Sequence, residues 1–241
     1  MRNLPAIIFL CAVVYVSCKK TNDINANVLL YNASWSLPAV AAAWNSNEIL
    51  STPIAQGKSS GSADSPYIKV SAGTNLITVK AGSSTLLDKN IYAAAASGTS
   101  FFLFDTSKTL APVRILQLTD DLNLPDTFKL KYRMLYLVPD TSVKVDVWLV
   151  NGTTDSVRLD TAGVFIGATK AAADVQTFKP ISFYGGNYTV KIKRTGTQQV
   201  YIAVNDYPFA IRGIYSMVFS GLLNGAGNAG LKLSVLRHPS Q

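Results

Sequence analysis

Hydrophobic and polar residues alternate along much of this chain, most clearly between Lys129 and Gly152. Leu130, Tyr132, Met134, Tyr136 and Val138 are apolar, with Lys129, Lys131 and Arg133 between them. A period of two marks a strand with one buried face. Pro139-Asp140-Thr141-Ser142 interrupts it as a turn. Val143, Val145, Val147 and Leu149 then alternate with Lys144, Asp146 and Trp148 up to Asn151-Gly152, a tight-turn pair. The alternation puts Trp148 opposite the valines, so it is the aromatic expected at the surface or between domains.

A weaker copy of this unit lies nearer the N-terminus. Residues 28–34 answer to 133–139, and residues 39–50 answer loosely to 143–152. The alanine run near 41–43 has helical propensity, so helix and strand both stay open there. Residues 67–73 lead by a turn into 76–80, as 181–186 lead into 188–192. Residues 98–104 match 213–219, and 113–118 match 231–236. The offsets are 105 (Tyr31 to Tyr136), 113 (Gly73 to Gly186), 115 (Gly98 to Gly213) and 118 (Val113 to Leu231). They rise in step, as two copies give when the second carries extra loop residues. The largest growth falls in 155–177, expected as a loop. Residues 56–65 are rich in Gly and Ser and are expected as another loop, and 119–126 as the linker.

Each copy holds about seven short strands with turn signals between them and no long amphipathic helix. The chain therefore reads as all-β: two tandem antiparallel β-sandwich domains of immunoglobulin-like architecture. The Cys and Trp pairing of true immunoglobulin domains is absent. The expected divisions are 1–17 signal peptide, 18–26 tether, 27–126 first sandwich and 127–241 second sandwich.

Composition adds a location. Hydrophobic content of 48% with 15% charged residues is enough for a core and excludes a disordered chain. The net charge is +8, but Lys and Arg are spread along the strands, so no nucleic-acid partner is expected. Residues 4–16 are mostly apolar after Arg2. That run is short of the roughly 20 residues that span a bilayer and suits a secretory signal. It ends in Ser17-Cys18-Lys19-Lys20. This ending resembles the lipoprotein box of the Bacteroidota, with Tyr15 where Leu is usual. The resemblance implies acylation (palmitate-type chains) at Cys18, loss of Cys11 with the signal, and an outer-membrane lipoprotein, since no Asp follows Cys18. An ordinary cleaved signal is the alternative. Which leaflet the protein faces stays open.

A strand before a Pro/Asp turn, then Val-Lys-Val-Asp-Val-Trp-Leu-Val-Asn-Gly, then Gly-Gly-Asn-Tyr-Thr-Val, resembles the bacterial domain-of-unknown-function family 4397. The second copy carries the likeness best; in the first, Trp44-Asn45-Ser46-Asn47 replaces the Val-Asp-Val-Trp core. The family implies a fold and a secreted or lipid-anchored location, but no chemistry.

No catalytic constellation stands out. His238 is the only histidine, three residues from the end, where a frayed tail is expected. The run from Gly225 to Gly230 fits G-x-G-x-x-G but leads into a strand, so it reads as a hairpin loop. Asp120, Asp121 and Asp126 offer oxygens to calcium without the loop spacing that binds it, so no metal and no cofactor are expected. Trp35, Trp44 and Trp148, with Tyr184 and Tyr207, are candidates for a sugar-stacking surface, against ordinary core packing. Ser156 and Thr161 each follow an Asp in the pattern of Bacteroidota O-glycosylation. The expected function is a non-enzymatic, lipid-anchored envelope protein for binding or adhesive contact, with a glycan or another envelope protein as partner. The alternative is a carbohydrate-binding module.

Overall fold

The computed structural model describes residues 25–62, 65–109, 113–140, 142, 144–152, 155–163 and 177–240. Among the described residues, nine strands make the first half: β1 (Asn25–Asn32), β2 (Ala39–Trp44), β3 (Asn47–Glu48), β4 (Ile54–Ala55), β5 (Ile68–Ser71), β6 (Gly73–Ala81), β7 (Ser84–Ala93), β8 (Gly98–Asp105) and β9 (Val113–Asp120). Eight make the second: β10 (Lys129–Tyr136), β11 (Val145–Asn151), β12 (Asp155–Gly163), β13 (Lys179–Ser182), β14 (Gly186–Arg194), β15 (Val200–Phe209), β16 (Ile214–Ser220) and β17 (Lys232–His238). Among the described residues the only helical turn is 3-10, at Gly227–Ala229, inside the β16–β17 hairpin.

Each half is a sandwich of two sheets. In the first, β5-β1-β8-β9 packs on β3-β2-β6-β7. In the second, β13-β10-β16-β17 packs on β12-β11-β14-β15. The all-β sandwich class expected from the alternation holds. One detail differs: β1 pairs with β8 in parallel, and β10 with β16 likewise, so each of these sheets is mixed.

The sheets β5-β1-β8-β9 and β13-β10-β16-β17 also pack on each other. Val28 and Leu30 of β1 enter the first core, while Leu29, Tyr31 and Ala33 join the cluster of the second half. The Tyr31 hydroxyl donates to Ser234 Oγ of β17 at 2.7 Å. The result is four layers, with both inner sheets covered on both faces. Every residue of β8 and of β16 is buried for that reason. Strands covered twice read as continuous apolar runs.

This double burial explains a misreading of the repeat. Ala33 N–H donates to Leu103 O, and Leu137 N–H donates to Phe219 O. Ala33 therefore corresponds to Leu137 (137 − 33 = 104) and Leu103 to Phe219 (219 − 103 = 116). The sequence offsets of 105 and 115 are each one residue out. A one-residue slip swaps the faces of a strand, and with both faces apolar the pattern cannot detect it. The offset of 113 at Gly73 and Gly186 stands, and both glycines have positive φ. The offset of 118 for the last strand also stands, since Ile115 and Leu233 oppose Leu103 and Phe219.

Three other expectations change. The alanine run is strand β2, because Val40, Ala42 and Trp44 bury a period-two face. Residues 155–163 are strand β12, paired along β11, and not a loop. The tether shortens, since Asn25 and Ala26 already pair with Ser71 and Val70. The signal run and Cys18 lie outside the described residues.

Phe102 sits where β8 meets the second half, fully buried, with its ring 5.9 Å from Tyr31. Phe102→Ala is expected to cost about 3–5 kcal/mol in denaturant unfolding. A loss under about 1 kcal/mol would contradict the double burial.

Candidate functional site

The most chemically loaded place in the molecule is sealed between the inner sheets. Leu29 and Arg133 hold the same position in the two copies, as do Tyr67 and Phe178, Ser100 and Ser216, and Asp120 and His238. These eight residues gather at one level of the interface. The repeat therefore supplies matched positions, and divergence has made them complementary.

The hydrogen bonds form one directed chain. Arg133 Nε–H donates to Ser216 Oγ at 2.7 Å. Ser216 Oγ stands 2.7 Å from His238 Nε2 and donates its proton there when the imidazole is neutral. Tyr67 O–H donates to Asp120 Oδ2 at 2.7 Å, so it accepts from His238 Nδ1–H at 2.6 Å. Ser100 O–H donates to the same Oδ2 at 2.7 Å. Burial and the Arg133 charge favour the neutral imidazole, whose proton then sits on Nδ1, facing Tyr67.

Arg133 and Asp120 form a buried ion pair, Nη2 to Oδ1 at 2.6 Å. Its angle is poor for a hydrogen bond, and Nη1 has no hydrogen-bond partner among the described residues. The guanidinium instead lies over Phe178 at 4.5 Å and Phe102 at 5.8 Å. Such a pair gives registry more than net stability: removing one member leaves a bare buried charge.

His238 is therefore not in a frayed tail. It is 2% exposed and paired with Ile214 in β17. Sequence reasoning missed Arg133 as well, counting it a solvated strand position. Its partners lie far along the chain, so no local signal could place it.

The three aspartates of the linker each have a cation. Asp120 has Arg133, Asp121 has Lys131 at 2.6 Å, and Asp126 has Lys129 at 2.7 Å. The Lys131 hydrogen bond holds the Asp121 carboxyl below its usual range. Among the described residues no group of metal-ligating side chains gathers.

The three tryptophans separate. Trp44 is core, 3% exposed, with Nε1–H donating to Ser71 Oγ at 3.2 Å. Trp35 is half-buried in a turn organised by Asp105, whose carboxylate accepts from the Ser34 and Ser36 hydroxyls and the Trp35 amide. Tyr207 packs on Phe209 and Tyr215, while Tyr184 is exposed. Trp148 is half-buried on the outer face of β11, in a cleft with Asp146, Arg158, Lys193, Gly196, Thr197 and Gln198. Arg158 lies 5.8 Å and Lys193 Nζ 5.3 Å from its ring centre. Asp146 Oδ1 accepts from Thr161 and Thr195 hydroxyls at 3.1 and 3.0 Å. This is the open site with an aromatic floor and charged walls. Ser156 and Thr161 are both exposed on β12, and the Thr161 hydroxyl is engaged by Asp146.

No protein-family model matches the chain, and no curated protein matches it. Among the described residues no helix is long and apolar enough to cross a membrane.

The buried histidine makes stability depend on pH. In the unfolded chain its imidazole takes up a proton near pH 6.5. In the fold, burial first and then the Arg133 charge hold its pKa down to about 3, against a smaller opposite pull from Asp120. Between those limits the unfolded chain binds the extra proton. The contribution is thus complete above about pH 6.5 and is lost as the pH falls toward 3, by at most about 1.4 kcal/mol per unit. Unfolding midpoints followed from about pH 7 to about pH 4 should fall accordingly. His238→Gln should flatten that dependence; an unchanged slope would mean that the ring is not held neutral.

Proposed function

We propose that this protein is a non-catalytic component of the cell envelope, held to the outer membrane by acyl chains on Cys18, with two fused β-sandwiches that present their outer sheets and loops for binding or adhesive contact. The observation that carries the reading is the fate of its one histidine. Both ring nitrogens are committed, the imidazole is neutral, and its neighbours join one half to the other. A base so placed serves the fold. The Ser17-Cys18-Lys19-Lys20 ending supports the anchor, and two or three acyl chains hold firmly at about 0.8 kcal/mol per buried methylene. Membership of domain-of-unknown-function family 4397 is part of the same proposal, supported by the Val-Asp-Val-Trp strand and the Gly-Gly-Asn-Tyr-Thr-Val strand pairing as β11 and β14.

A second reading, carbohydrate capture, is favoured by the Trp148 cleft. Its cations lie against the indole, so an acidic sugar, with carboxylates for Arg158 and Lys193, suits it better than a neutral sugar stacked on the bare ring.

Wild-type protein expressed in a lipoprotein-processing bacterium is expected in the membrane fraction with an acylated N-terminal peptide, and Cys18→Ala in the soluble fraction. Unmodified Cys18 in the wild type would overturn the anchor. On a glycan array, retention of uronate-bearing glycans that is lost on Trp148→Ala and weakened roughly tenfold on Arg158→Ala would support capture, since a charge-assisted contact is worth about 1.5–3 kcal/mol. Retention indifferent to both changes would remove the cleft from consideration.

A further inference from the structure

One end of the second half exposes four apolar side chains together. Leu124 is 42% exposed, Phe128 57%, Tyr184 82% and Ile211 41%. Phe128 and Tyr184 rings stand 6.3 Å apart, and Gly185 packs against Ile211. Leu124 and Ile211 line one cleft with Arg212 and Arg237. Those two arginines form no close ion pair among the described residues, whereas Lys129 and Lys131 beside them are matched by Asp126 and Asp121. The end is thus apolar at its tips with two exposed arginines behind them, Arg212 donating its Nε–H to Pro125 O at 3.0 Å and lying within electrostatic reach of Asp126.

The backbone holds these tips out. Phe128 has φ 61 and Arg212 φ 60. A bulky residue in that region is strained and persists only where its surroundings fix it. Here Phe183 N–H donates to Phe128 O and Arg212 N–H to Lys129 O, both at 2.7 Å. The first copy makes the same turn, with Ala96 at φ 53 donating its N–H to Asn25 O. There the turn reads Ala94-Ala95-Ala96, against Ala210-Ile211-Arg212 in the second copy. The geometry belongs to the fold; the exposed Ile and the Arg are additions of the second copy.

This end is also where the N-terminal segment attaches. Asn27 lies beside Gly98, and Gly98 opposite Asp120. Asp120 reaches His238 through Tyr67, and His238 lies opposite Ile214, beside Lys131. The starts of β1 and β10 therefore stand at the same end. Six residues lie between Cys18 and Asn25, so seven peptide steps span at most about 25 Å of extended chain.

We propose that this end is a membrane-contact surface: Leu124, Phe128, Tyr184 and Ile211 enter the interface of an anionic lipid surface while Arg212 and Arg237 meet its phosphates. The inference rests on the Cys18 anchor and adds an orientation to it. Aromatic and aliphatic tips backed by cations have the chemistry of interfacial binding. Arginines close to an anionic surface strengthen its attraction for the protein. The turn at 195–198, beside the Trp148 cleft, then points away from the bilayer, because β14 runs from Gly186 at the contact end to Arg194.

The test uses the full acylated protein in vesicles of phosphatidylglycerol and phosphatidylcholine carrying a photoactivatable phospholipid, with adducts mapped by mass spectrometry. Adducts are expected on peptides containing 124–128, 183–186 and 209–213, several-fold above those containing 82–83 and 195–198. They should fall several-fold in pure phosphatidylcholine or in Arg212→Ala/Arg237→Ala. The Phe128→Ser/Tyr184→Ser variant, its melting temperature checked, should lose them and stay vesicle-bound through the anchor. Adducts spread evenly, or confined to the segment before Asn25, overturn the contact surface and leave the anchor intact. Wild-type protein that does not stay with the vesicles overturns the anchor, and the orientation with it.

Discussion

A sheet with two apolar faces cannot have water on either, and this chain has two such sheets. Each inner sheet closes its own sandwich on one side. On the other, each needs the inner sheet of the opposite half. Tyr31, Phe102 and Leu118 from the first half enter one continuous cluster with Leu135 and Val218 from the second. The whole arrangement depends on that mutual cover. A tandem repeat is a direct way to supply it, because one chain carries both faces at a fixed and high effective concentration.

The cover is not purely apolar. Positions that the repeat makes equivalent hold a leucine in the first copy and an arginine in the second, an aspartate and a histidine, and a tyrosine and a phenylalanine. Only the two serines are unchanged. Each half alone would present half of a hydrogen-bonded chain: Ser100, Asp120 and Tyr67 on one side, Ser216, His238 and Arg133 on the other. Unmade polar groups in a dry interface cost far more than the completed bonds gain. The network therefore specifies which faces meet and in what register, as a buried polar position does in other assemblies.

How much of this could be read from the residues divides along the same line. The outer strands were legible. Val145, Val147 and Leu149 are buried while Trp148 and Val150 beside them are partly exposed, because their sheet has one wet face, and Asn151-Gly152 ends the strand as expected. The inner strands could be recognised as strands but not phased, since apolar residues on both sides erase the difference between one register and the next. The alternation set Trp148 opposite the valines, and it lies half-buried on the outer face under two cations; Trp44, at the end of an alanine run open to helix or strand, is in the core. Arg133 and His238 stayed hidden because what buries them comes from the other copy. The tips at Phe128, Tyr184 and Ile211 are ordinary loop residues until the strands bring them to one end, the end at which β1 starts.

Calorimetric unfolding of the intact protein bears most directly on the mutual cover. One transition, with calorimetric and van't Hoff enthalpies equal, is the result expected if the halves hold each other; Arg133→Met should lower its midpoint without splitting it. Two separable transitions, with Arg133→Met shifting only the second half, would contradict it.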